Sequence, residues 1–471
     1  MTNKNILGLH IGHNSSCAIM RENEIIYVGQ EERFTSYKYF VGFPHLSLKY
    51  GLKSLKINPK DISSVAIAGK NFDPMWHKSN YVTNLSIREF FDYYGKEYWG
   101  KKLLGENCDQ YKNWIVKNKR FKPINKNFNY NFITSELISN DKKRIMKYKE
   151  EIIKHIKEKI NIRNSTISFF DHHTCHANYA YFASPFRKKK CAIVIIDSEG
   201  DSYNQTTWVA EKDKIKNLAR SSQSDIAHIY KMATLILGMR PELHEYKVMG
   251  LAPYAKQKYF MESYEPLKKI SKIKNLKIIF DKRPKDLFNY LSESWKGHRF
   301  DNICAAVQFF TEKLSKDLLD NIYKKTRIKR YVMSGGVSLN IKMNKKISEL
   351  PYVKDFFIAG SGSDESLSIG ACYLANKNYK QNKHLKNLYL GYDISDDLSQ
   401  RNIKLLTKKY KVYKKISFKK IAKLLKNGEI IARISNKSEF GARALGNRSI
   451  LANPYIDGIV EKINMAIKNR D

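Results

Sequence analysis

The sequence lacks the features that mark secreted and membrane proteins. Its six cysteines are scattered, with no C-x-x-C pair, which argues against a disulfide scaffold and favours a reducing compartment. The N-terminus, MTNKNILGLHIGHNSSCAIM, has no basic segment followed by an apolar run, so we expect no signal peptide. No apolar run approaches the ~18 residues of a membrane span. These absences predict a soluble cytoplasmic protein.

Acidic residues are also scarce, with 46 Asp and Glu against 85 Lys and Arg, a formal net charge of +39. A basic surface attracts phosphates, nucleic acid or anionic lipid. The alternative is compositional drift, because most of the lysines are spread evenly along the chain, whereas a specific basic patch is normally clustered. We prefer drift, and nucleic acid stays open as a partner.

The chain of 471 residues is long enough for two or three domains, and its apolar content of 42% allows large cores. The segments ILGLHI, SCAIMREN and EIIYVGQEER predict three strands in a meander. Cys191–Glu211 repeats this pattern of an apolar strand, a small polar turn and a second strand. The repeat predicts two related halves that enclose a cleft.

Glycine-rich turns follow two later strands, in RYVMSGGVSLN and FFIAGSGSDESLSIGACYLA. A glycine turn between a strand and a helix N-terminus is a common seat for a nucleotide phosphate. The polar stretch Asn376–Asn387 lacks apolar periodicity and is predicted to be a linker. After it, SFKKIAKLLKNGEIIARIS predicts a helix, an Asn-Gly turn and a strand, which would begin a second, smaller domain.

Three histidines and a cysteine lie within five residues in FFDHHTCHANYAYFAS, which has helical spacing. His172 and His176 are four residues apart, so both imidazoles reach the same side of a helix and can bind one cation. The third ligand must come from elsewhere, and Asp197 and Asp364 both follow predicted strand ends. The alternative is a surface helix with scattered histidines, because H-x-x-x-H alone is a weak pattern.

Five segments occur together and in order: DHHTCHA, EYKVMGLAPYA, SGGVSLN, GSGSDESLSIGA and SEFGARALGNRSILANP. In them the sequence resembles the O-carbamoyltransferases of nodulation-factor and antibiotic biosynthesis. The resemblance extends from Ile6 to Arg470, and the last segment is long and specific. The related tRNA threonylcarbamoyl transferases would not carry EFGARALGNRS.

The resemblance implies an α/β protein of two domains. Residues 1–380 would form the duplicated actin-like ATPase (ASKHA) fold shared with the tRNA threonylcarbamoyl transferases. Residues 381–471 would be part of a YrdC-like domain, which makes an acyl adenylate. Family members continue past the point where this chain ends, in INMAIKNRD, so the resemblance implies a truncated small domain.

The implied activity is an ATP-dependent carbamoyl transfer. Carbamoyl phosphate and ATP, the latter with Mg²⁺, would give carbamoyl-AMP in the small domain, and the large domain would move the carbamoyl group to a hydroxyl. By the same resemblance, His172, His176 and Asp364 would hold Fe²⁺, with Mn²⁺ or Zn²⁺ as alternatives. Asp197 would act as a further ligand or as the base for the acceptor hydroxyl, and His13 would hydrogen-bond the carbamoyl oxygen. The implied nucleotide contacts are Lys38, Glu245, Lys247, Gly335, Gly336 and Asn340.

The small domain would bind carbamoyl phosphate and ATP through Lys437, Arg443, Arg448 and Ser449. Guanidinium forks suit phosphate oxygens, and we expect the two arginines to converge on one anion. The family usually has Pro where this chain has Ala442, and Arg where it has Lys437. The first difference loosens the turn, and the second keeps the charge but loses the fork.

The sequence says least about the acceptor. A sugar or other small hydroxyl compound could lie near the aromatic stretch Asn71–Trp114, where Trp76, Tyr81, Tyr94 and Trp99 either stack on sugar faces or belong to an ordinary core. The second hypothesis keeps the chemistry but makes the acceptor a hydroxymethylated base in DNA, or RNA. The third is a non-catalytic binder of nucleotide or polymer. The oligomeric state is open.

Overall fold

The first β-sheet forms from the N-terminal third of the chain. The computed structural model describes residues 5–80, 84–121, 127–378, 381–396, 404, 407–410 and 416–468. The sheet has five strands in the order β3-β2-β1-β4-β5, of which β1, β2 and β3 are antiparallel and confirm the predicted meander. The strands are β1 (Asn5–His10), β2 (Ser16–Arg21), β3 (Glu24–Gln30), β4 (Ile62–Ala68) and β5 (Thr166–Phe170).

The second β-sheet repeats this topology. Its order is β12-β11-β6-β7-β8, so an antiparallel meander is again followed by two strands parallel to its first member. The predicted duplication is therefore present in the strand order and direction of both sheets. The strands are β6 (Cys191–Gly200), β7 (Tyr203–Glu211), β8 (Lys214–Ser221), β11 (Arg330–Ser334) and β12 (Asp355–Ile358), and a separate hairpin joins β9 (Ser271–Lys274) to β10 (Lys277–Phe280).

Helices cover the sheets and connect their strands, giving a mixed α/β fold. The α-helices of this part of the chain are α1 (Glu32–Thr35), α2 (His45–Ser54), α3 (Pro74–Ser79), α4 (Ile87–Asp92), α5 (Trp99–Leu104), α6 (Asp109–Lys117), α7 (Ser135–Ile138), α8 (Asp141–Glu158), α9 (His172–Ala183), α10 (Ile226–Ile236), α11 (Glu245–Leu251), α12 (Gln257–Tyr264), α13 (Leu287–Ser294), α14 (Phe300–Thr326), α15 (Ile341–Ser348) and α16 (Leu367–Ala375).

Two of these helices pack against each other and bring the two sheets together. Helix α16 lies on β1 and β4 of the first sheet, and α9 lies on β6 and β11 of the second. Their backbones approach closely at Gly370, where a Cβ atom would come within 2.0 Å of the carbonyl oxygen of Cys175. Only glycine allows this separation. The start of α9 is therefore held beside the turn that precedes α16.

The aromatic stretch after β4 contributes to the hydrophobic core. Trp76, Tyr94 and Trp99 are partly buried against the core, and the Trp76 ring meets Tyr93 and Tyr98 edge-on. Their packing agrees with the ordinary-core alternative, and Tyr81 lies outside the described residues. A sugar-stacking role for these rings stays a prediction.

The chain divides into two compact units, Met1–Lys386 and Asn387–Asp471. The boundary falls at the end of the predicted linker, Asn376–Asn387. Its described second half is anchored to the first unit by backbone hydrogen bonds: the Lys383 amide donates to Asn23 O at 2.7 Å and the Leu385 amide to Phe182 O at 3.3 Å. Residues 379–380 of the predicted linker lie outside the described residues, and the predicted domain types of the two units stay predictions.

The second unit contains the predicted helix, Asn-Gly turn and strand. Helix α17 (Phe418–Lys426) is followed by Gly428 at φ +87° and by β13 (Ile431–Ile434). Strand β13 pairs antiparallel with β14 (Arg448–Leu451), and a short helix α18 (Ile459–Ile463) follows. Within the described parts of both units, no helix is long and apolar enough to cross a bilayer.

Candidate active site

Helix α9 brings His172 and His176 to one side, as their spacing predicts. The helix begins after Asp171, whose carboxylate accepts from the Thr174 amide at 2.8 Å and caps the first turn. Both histidines are buried. His173 lies on another side and bonds Thr206 and Tyr203, so it packs rather than joins the pair.

Two carboxylates complete the cluster. The Oδ2 atom of Asp197, in β6, lies 3.4 Å from His172 Nε2 and 3.2 Å from His176 Nε2. Asp364, in the turn before α16, places Oδ1 3.7 Å and 3.5 Å from the same two nitrogens. One ligand atom from each residue lies within 4.8 Å of the others. The structure therefore brings together the two histidines and the two aspartates that the sequence analysis considered as metal ligands.

The charges of this cluster support one another. Burial alone would lower the pKa of His172, but Asp364 and Asp197 outweigh it and raise that pKa to about 9. Burial would likewise raise the pKa of Asp197, but hydrogen bonds from His172 and His176 hold it well below its usual value. The negative charges of Asp197 and Asp364 can be balanced in two ways: by protons on the two imidazoles, or by a metal ion bound between the four ligand atoms. Two imidazoles and two carboxylates suit Fe²⁺, Mn²⁺ or Zn²⁺.

This charge balance predicts how the stability of the metal-free protein depends on pH. Because the pKa of His172 is raised from 6.5 to about 9, the protonated ring stabilises the fold fully below about pH 6.5. That contribution is lost as the pH rises through about 9. We expect the melting temperature of chelator-treated protein to fall between pH 6.5 and 9.5, and to fall less in His172→Gln, which has no proton to lose. Equal slopes for the two proteins would contradict the raised pKa.

His13 lies beside the cluster, in the turn after β1. Its ring stacks on Tyr39 at 4.9 Å between centroids, and its carbonyl accepts from His10 Nε2 at 2.8 Å. His10, which sequence reasoning missed, lies 3.8 Å from Asp364, and burial lowers its pKa to about 4. Among the described residues, His13 Nε2 is buried without a hydrogen-bond partner. A buried polar nitrogen of this kind is costly unless a ligand or water satisfies it.

A second acidic group lies near Tyr39 and His13. Glu242, which sequence reasoning missed although it precedes the EYKVMGL segment, has φ +67° and pairs with Lys231 at 2.5 Å. Its amide donates to Glu245 Oε1 at 2.6 Å. Burial and the neighbouring charge of Glu242 raise the pKa of Glu245 to about 7. The pair therefore places the carboxylate of Glu242 next to the carboxyl group of Glu245, whose pKa lies near neutral pH.

The other predicted nucleotide residues have different surroundings. The ammonium of Lys38 lies 4.9 Å from the centre of the Tyr39 ring, and Lys247 is exposed on α11. Asn340 is buried and caps α15 by accepting from the Met343 amide at 3.0 Å, while its amide group donates to Gln308 and Tyr230. Its hydrogen bonds are thus satisfied within the protein, and its nucleotide role stays a prediction.

The SGG turn after β11 lies directly against the cluster. Gly335 has φ +91°, and a Cβ atom there would come within 2.4 Å of Ile196 O. A Cβ atom on Gly336 would lie 3.1 Å from Asp197 Oδ1. The two glycines therefore let this turn approach the strand that carries Asp197.

The second unit orders the loop within its EFGARALGNRS segment through a glutamate that sequence reasoning missed. Glu439 accepts from the amides of Leu445, Asn447 and Arg448 at 2.9, 2.7 and 2.9 Å. Ser449 Oγ accepts from the Gly446 amide at 3.0 Å. The loop between Glu439 and β14 is therefore held by hydrogen bonds from its backbone amides to the side chains of Glu439 and Ser449.

The predicted anion-binding residues of this unit do not share one environment. The Arg448 guanidinium donates to the carbonyls of Ser435 and Tyr392 at 2.7 and 3.1 Å, and to those of Asn436 and Asn447. Arg443 is exposed and makes no hydrogen bond or ion pair with the described residues. The backbone of Lys437 forms an isolated antiparallel β-bridge with that of Asp393. Arg448 supports the loop in this structure, and Arg443 is the guanidinium that is available to a ligand.

The sequence matches two family models over most of its length. Residues 5–373 match the model described as carbamoyltransferase N-terminus, and residues 422–471 match carbamoyltransferase C-terminus. The chain belongs to the carbamoyltransferase family. This confirms the resemblance on which the candidate residues were chosen, and it makes the chain a member of a family of transferases.

Three relatives illustrate the spread of the family. An uncharacterised protein of Methanocaldococcus jannaschii is 32% identical over 64% of this chain, and nodulation protein NolNO of Sinorhizobium fredii is 28% identical over 65%. The 3'-hydroxymethylcephem-O-carbamoyltransferase of Streptomyces clavuligerus is 24% identical over 30%. The matched parts span 54%, 46% and 26% of those three proteins, so this chain aligns with about half or less of each.

Proposed function

We propose that this carbamoyltransferase forms carbamoyl-AMP from carbamoyl phosphate and ATP, and transfers the carbamoyl group to a hydroxyl of a sugar or other small acceptor. Activation would consume one water and release phosphate and pyrophosphate in the second unit, as in a YrdC-like domain, and transfer to the hydroxyl, which releases AMP, would take place in the first unit. The observation that carries the proposal is the four-residue cluster, in a chain that matches the carbamoyltransferase N-terminus over residues 5–373. The six cysteines are free and buried, which supports a cytoplasmic setting.

A divalent metal fits the cluster. His172, His176 and Asp364 would hold it, with Asp197 beside it either as a further ligand or as the residue that acts on the acceptor hydroxyl, and we favour Fe²⁺ over Mn²⁺ and Zn²⁺ because two histidines and a carboxylate are a common Fe²⁺ set. The metal would supply Lewis acidity to the carbamoyl carbonyl or the adenylate phosphate. ATP would enter with its own Mg²⁺.

The side chains around the cluster have distinct proposed roles. His13 would hydrogen-bond the carbamoyl oxygen as negative charge develops on it, which its unpartnered Nε2 supports. Asp197 would orient the acceptor hydroxyl. Its strongly lowered pKa makes it a weak base, so positioning outweighs proton abstraction. Lys38 would neutralise the adenylate phosphate.

The adenosine would be bound by the remaining predicted residues of the first unit. The close approach of the glycine turn to β6 supports a backbone contact there, and the acidic pair at the start of α11 supports a contact with hydroxyl groups. The predicted residues are Glu245, Lys247, Gly335, Gly336 and Asn340. In the second unit, carbamoyl phosphate and ATP would bind through Lys437, Arg443, Arg448 and Ser449.

The acceptor class is supported by the name of one relative, a 3'-hydroxymethylcephem-O-carbamoyltransferase, and by the resemblance to the O-carbamoyltransferases of nodulation-factor and antibiotic biosynthesis. The net charge of +39 favours one alternative, the same chemistry on a hydroxymethylated base in DNA or on RNA. A base in a duplex would have to be flipped into the site. A non-catalytic binder of nucleotide or polymer is the remaining alternative.

Two assays on the same protein test these alternatives. We expect carbamoyl phosphate to make pyrophosphate release from ATP rise well above the rate with ATP alone. We also expect label from radioactive carbamoyl phosphate to appear in members of a sugar panel and not in hydroxymethylated DNA or tRNA. Label only in nucleic acid would overturn the small acceptor, and nucleotide binding without pyrophosphate release would favour the binder.

A further inference from the structure

A buried hydrogen bond joins the turn after β1 to the turn before α16. Asn14 Nδ2 donates to Glu365 Oε2 at 3.1 Å, and both side chains are almost fully buried. The other oxygen of Glu365 accepts from the Ser361 hydroxyl, so both carboxylate oxygens are bound. Asn14 directly follows His13, and Glu365 directly follows Asp364. The bond therefore connects the neighbour of the proposed carbamoyl contact with the neighbour of a candidate metal ligand.

Other hydrogen bonds hold the ends of the first turn. The Ser15 amide donates to Phe40 O at 3.0 Å. Ser16 Oγ, at the start of β2, donates to the backbone carbonyl of Glu365 at 2.7 Å. These bonds do not involve the Asn14 side chain. Loss of the Asn14 bond should therefore shift the part of the turn that carries His13 without unfolding it.

The placement of the His13 ring depends on this turn. The ring stacks on Tyr39 at 4.9 Å between centroids, and among the described residues its Nε2 has no hydrogen-bond partner. Stacking restrains the plane of the ring, whereas its position relative to Asp364 depends on how the turn is held. His13 follows a strand of the first sheet and Asp364 follows a strand of the second, so this position is set by contacts between the two halves of the fold.

We propose that Asn14 and Glu365 form a positioning pair that sets the place of the His13 ring relative to Asp364. The inference rests on the proposed function, in which His13 contacts the carbamoyl oxygen and Asp364 binds the metal. The two groups would then act on one small substrate group from opposite halves of the fold. A misplacement of about 1 Å can cost about 10²-fold in rate. Loss of the pair should therefore lower kcat more than it changes substrate binding.

Exchanging the two polar groups tests the pair in the full chain. Asn14 has φ +60°, which Asp tolerates, so Asn14→Asp keeps the shape of the turn but puts two carboxylates in contact. We expect kcat for carbamoyl transfer to fall by about 10²-fold, with KM within about threefold. Adding Glu365→Gln restores a carboxylate next to an amide and keeps an oxygen for Ser361. This double variant should recover kcat to within about fivefold of the unmodified protein.

The conditions and the control exclude two other causes of a lower rate. Burial raises the pKa of Glu365 to about 7, so the assays are run at about pH 8.5, where its carboxylate is ionised. Asn376→Asp is the matched control. Asn376 is also buried, and its Nδ2 donates to Asn23 Oδ1 at 2.8 Å, so it joins another turn of the first sheet to the far end of α16. We expect this variant, while folded, to keep the unmodified kcat, and an equal loss in both variants would contradict the proposal.

Nitrogen spectroscopy separates this inference from the proposed function. In protein that carries 15N-labelled histidine, the His13 ring signals are assigned by their loss in His13→Gln. We expect them to shift or broaden in Asn14→Asp and to return in the double variant. Unchanged ring signals and kcat in Asn14→Asp, or a double variant no better than Asn14→Asp, would overturn the proposal. An unmodified protein without carbamoyl transfer would instead remove the proposed function, while the spectra still decide whether the pair places the ring.

Discussion

A protein carrying His172→Ala and His176→Ala is expected to bind no divalent metal and to lose carbamoyl transfer by about 10²–10³-fold. Both rings contribute nitrogens to the four-atom cluster, and the carboxylates alone would leave two buried like charges. A Lewis acid is worth several kcal/mol, and each 1.36 kcal/mol is about tenfold in rate. Metal analysis after dialysis, with transfer measured on the same samples, checks both parts.

The control for this experiment is His228→Ala. His228 lies on α10, partly exposed and 3.6 Å from Asp225, so its loss tests whether metal binds to surface histidines. We expect this variant to keep the metal content of the unmodified protein. Equal metal content in the double variant would show that the cluster does not hold the metal, whatever the transfer rate.

The parts of the site that depend on local sequence patterns were predictable. The helix that carries His172 and His176 is capped by Asp171, and residues four apart lie on one side of a helix, so their common side follows from their spacing. Asp364 follows β12, and Asp197 lies near the end of β6, not after it as predicted. The repeated meander likewise appears in the sequence as two similar strand-turn-strand patterns. In the helix and the meanders the information lies in short, local stretches of sequence.

The parts that depend on contacts between distant segments were not predictable. Glu365 lies 351 residues from Asn14, and no local pattern connects them. His10 was read only as part of a strand, and its contacts with His13 and Asp364 depend on how the following turn folds. Arg448 shows the same limit, because its sequence context indicates an anion site but cannot show that nearby carbonyls already occupy the guanidinium.

This difference between the two arginines of the second unit leads to the remaining prediction. Arg443→Ala is expected to reduce carbamoyl-dependent pyrophosphate release by about 10²-fold or more and to leave the melting temperature unchanged. The Arg443 side chain is exposed and makes no hydrogen bond with the described residues, so its loss removes no internal contact. A guanidinium fork on a phosphate makes two charge-assisted hydrogen bonds worth about 1.5–3 kcal/mol each.

Arg448→Ala is the matched comparison, because it removes the same group from a position where four carbonyls accept its hydrogen bonds. We expect it to destabilise the second unit by about 2 kcal/mol, since three partly buried hydrogen bonds and one exposed hydrogen bond to a charged donor are lost. Pyrophosphate release would then fall together with stability. If Arg443→Ala releases pyrophosphate at the unmodified rate while Arg448→Ala, still folded at the assay temperature, does not, then Arg448, and not Arg443, supplies the guanidinium that the phosphate needs. Its carbonyl contacts would in that case have to open when substrate binds.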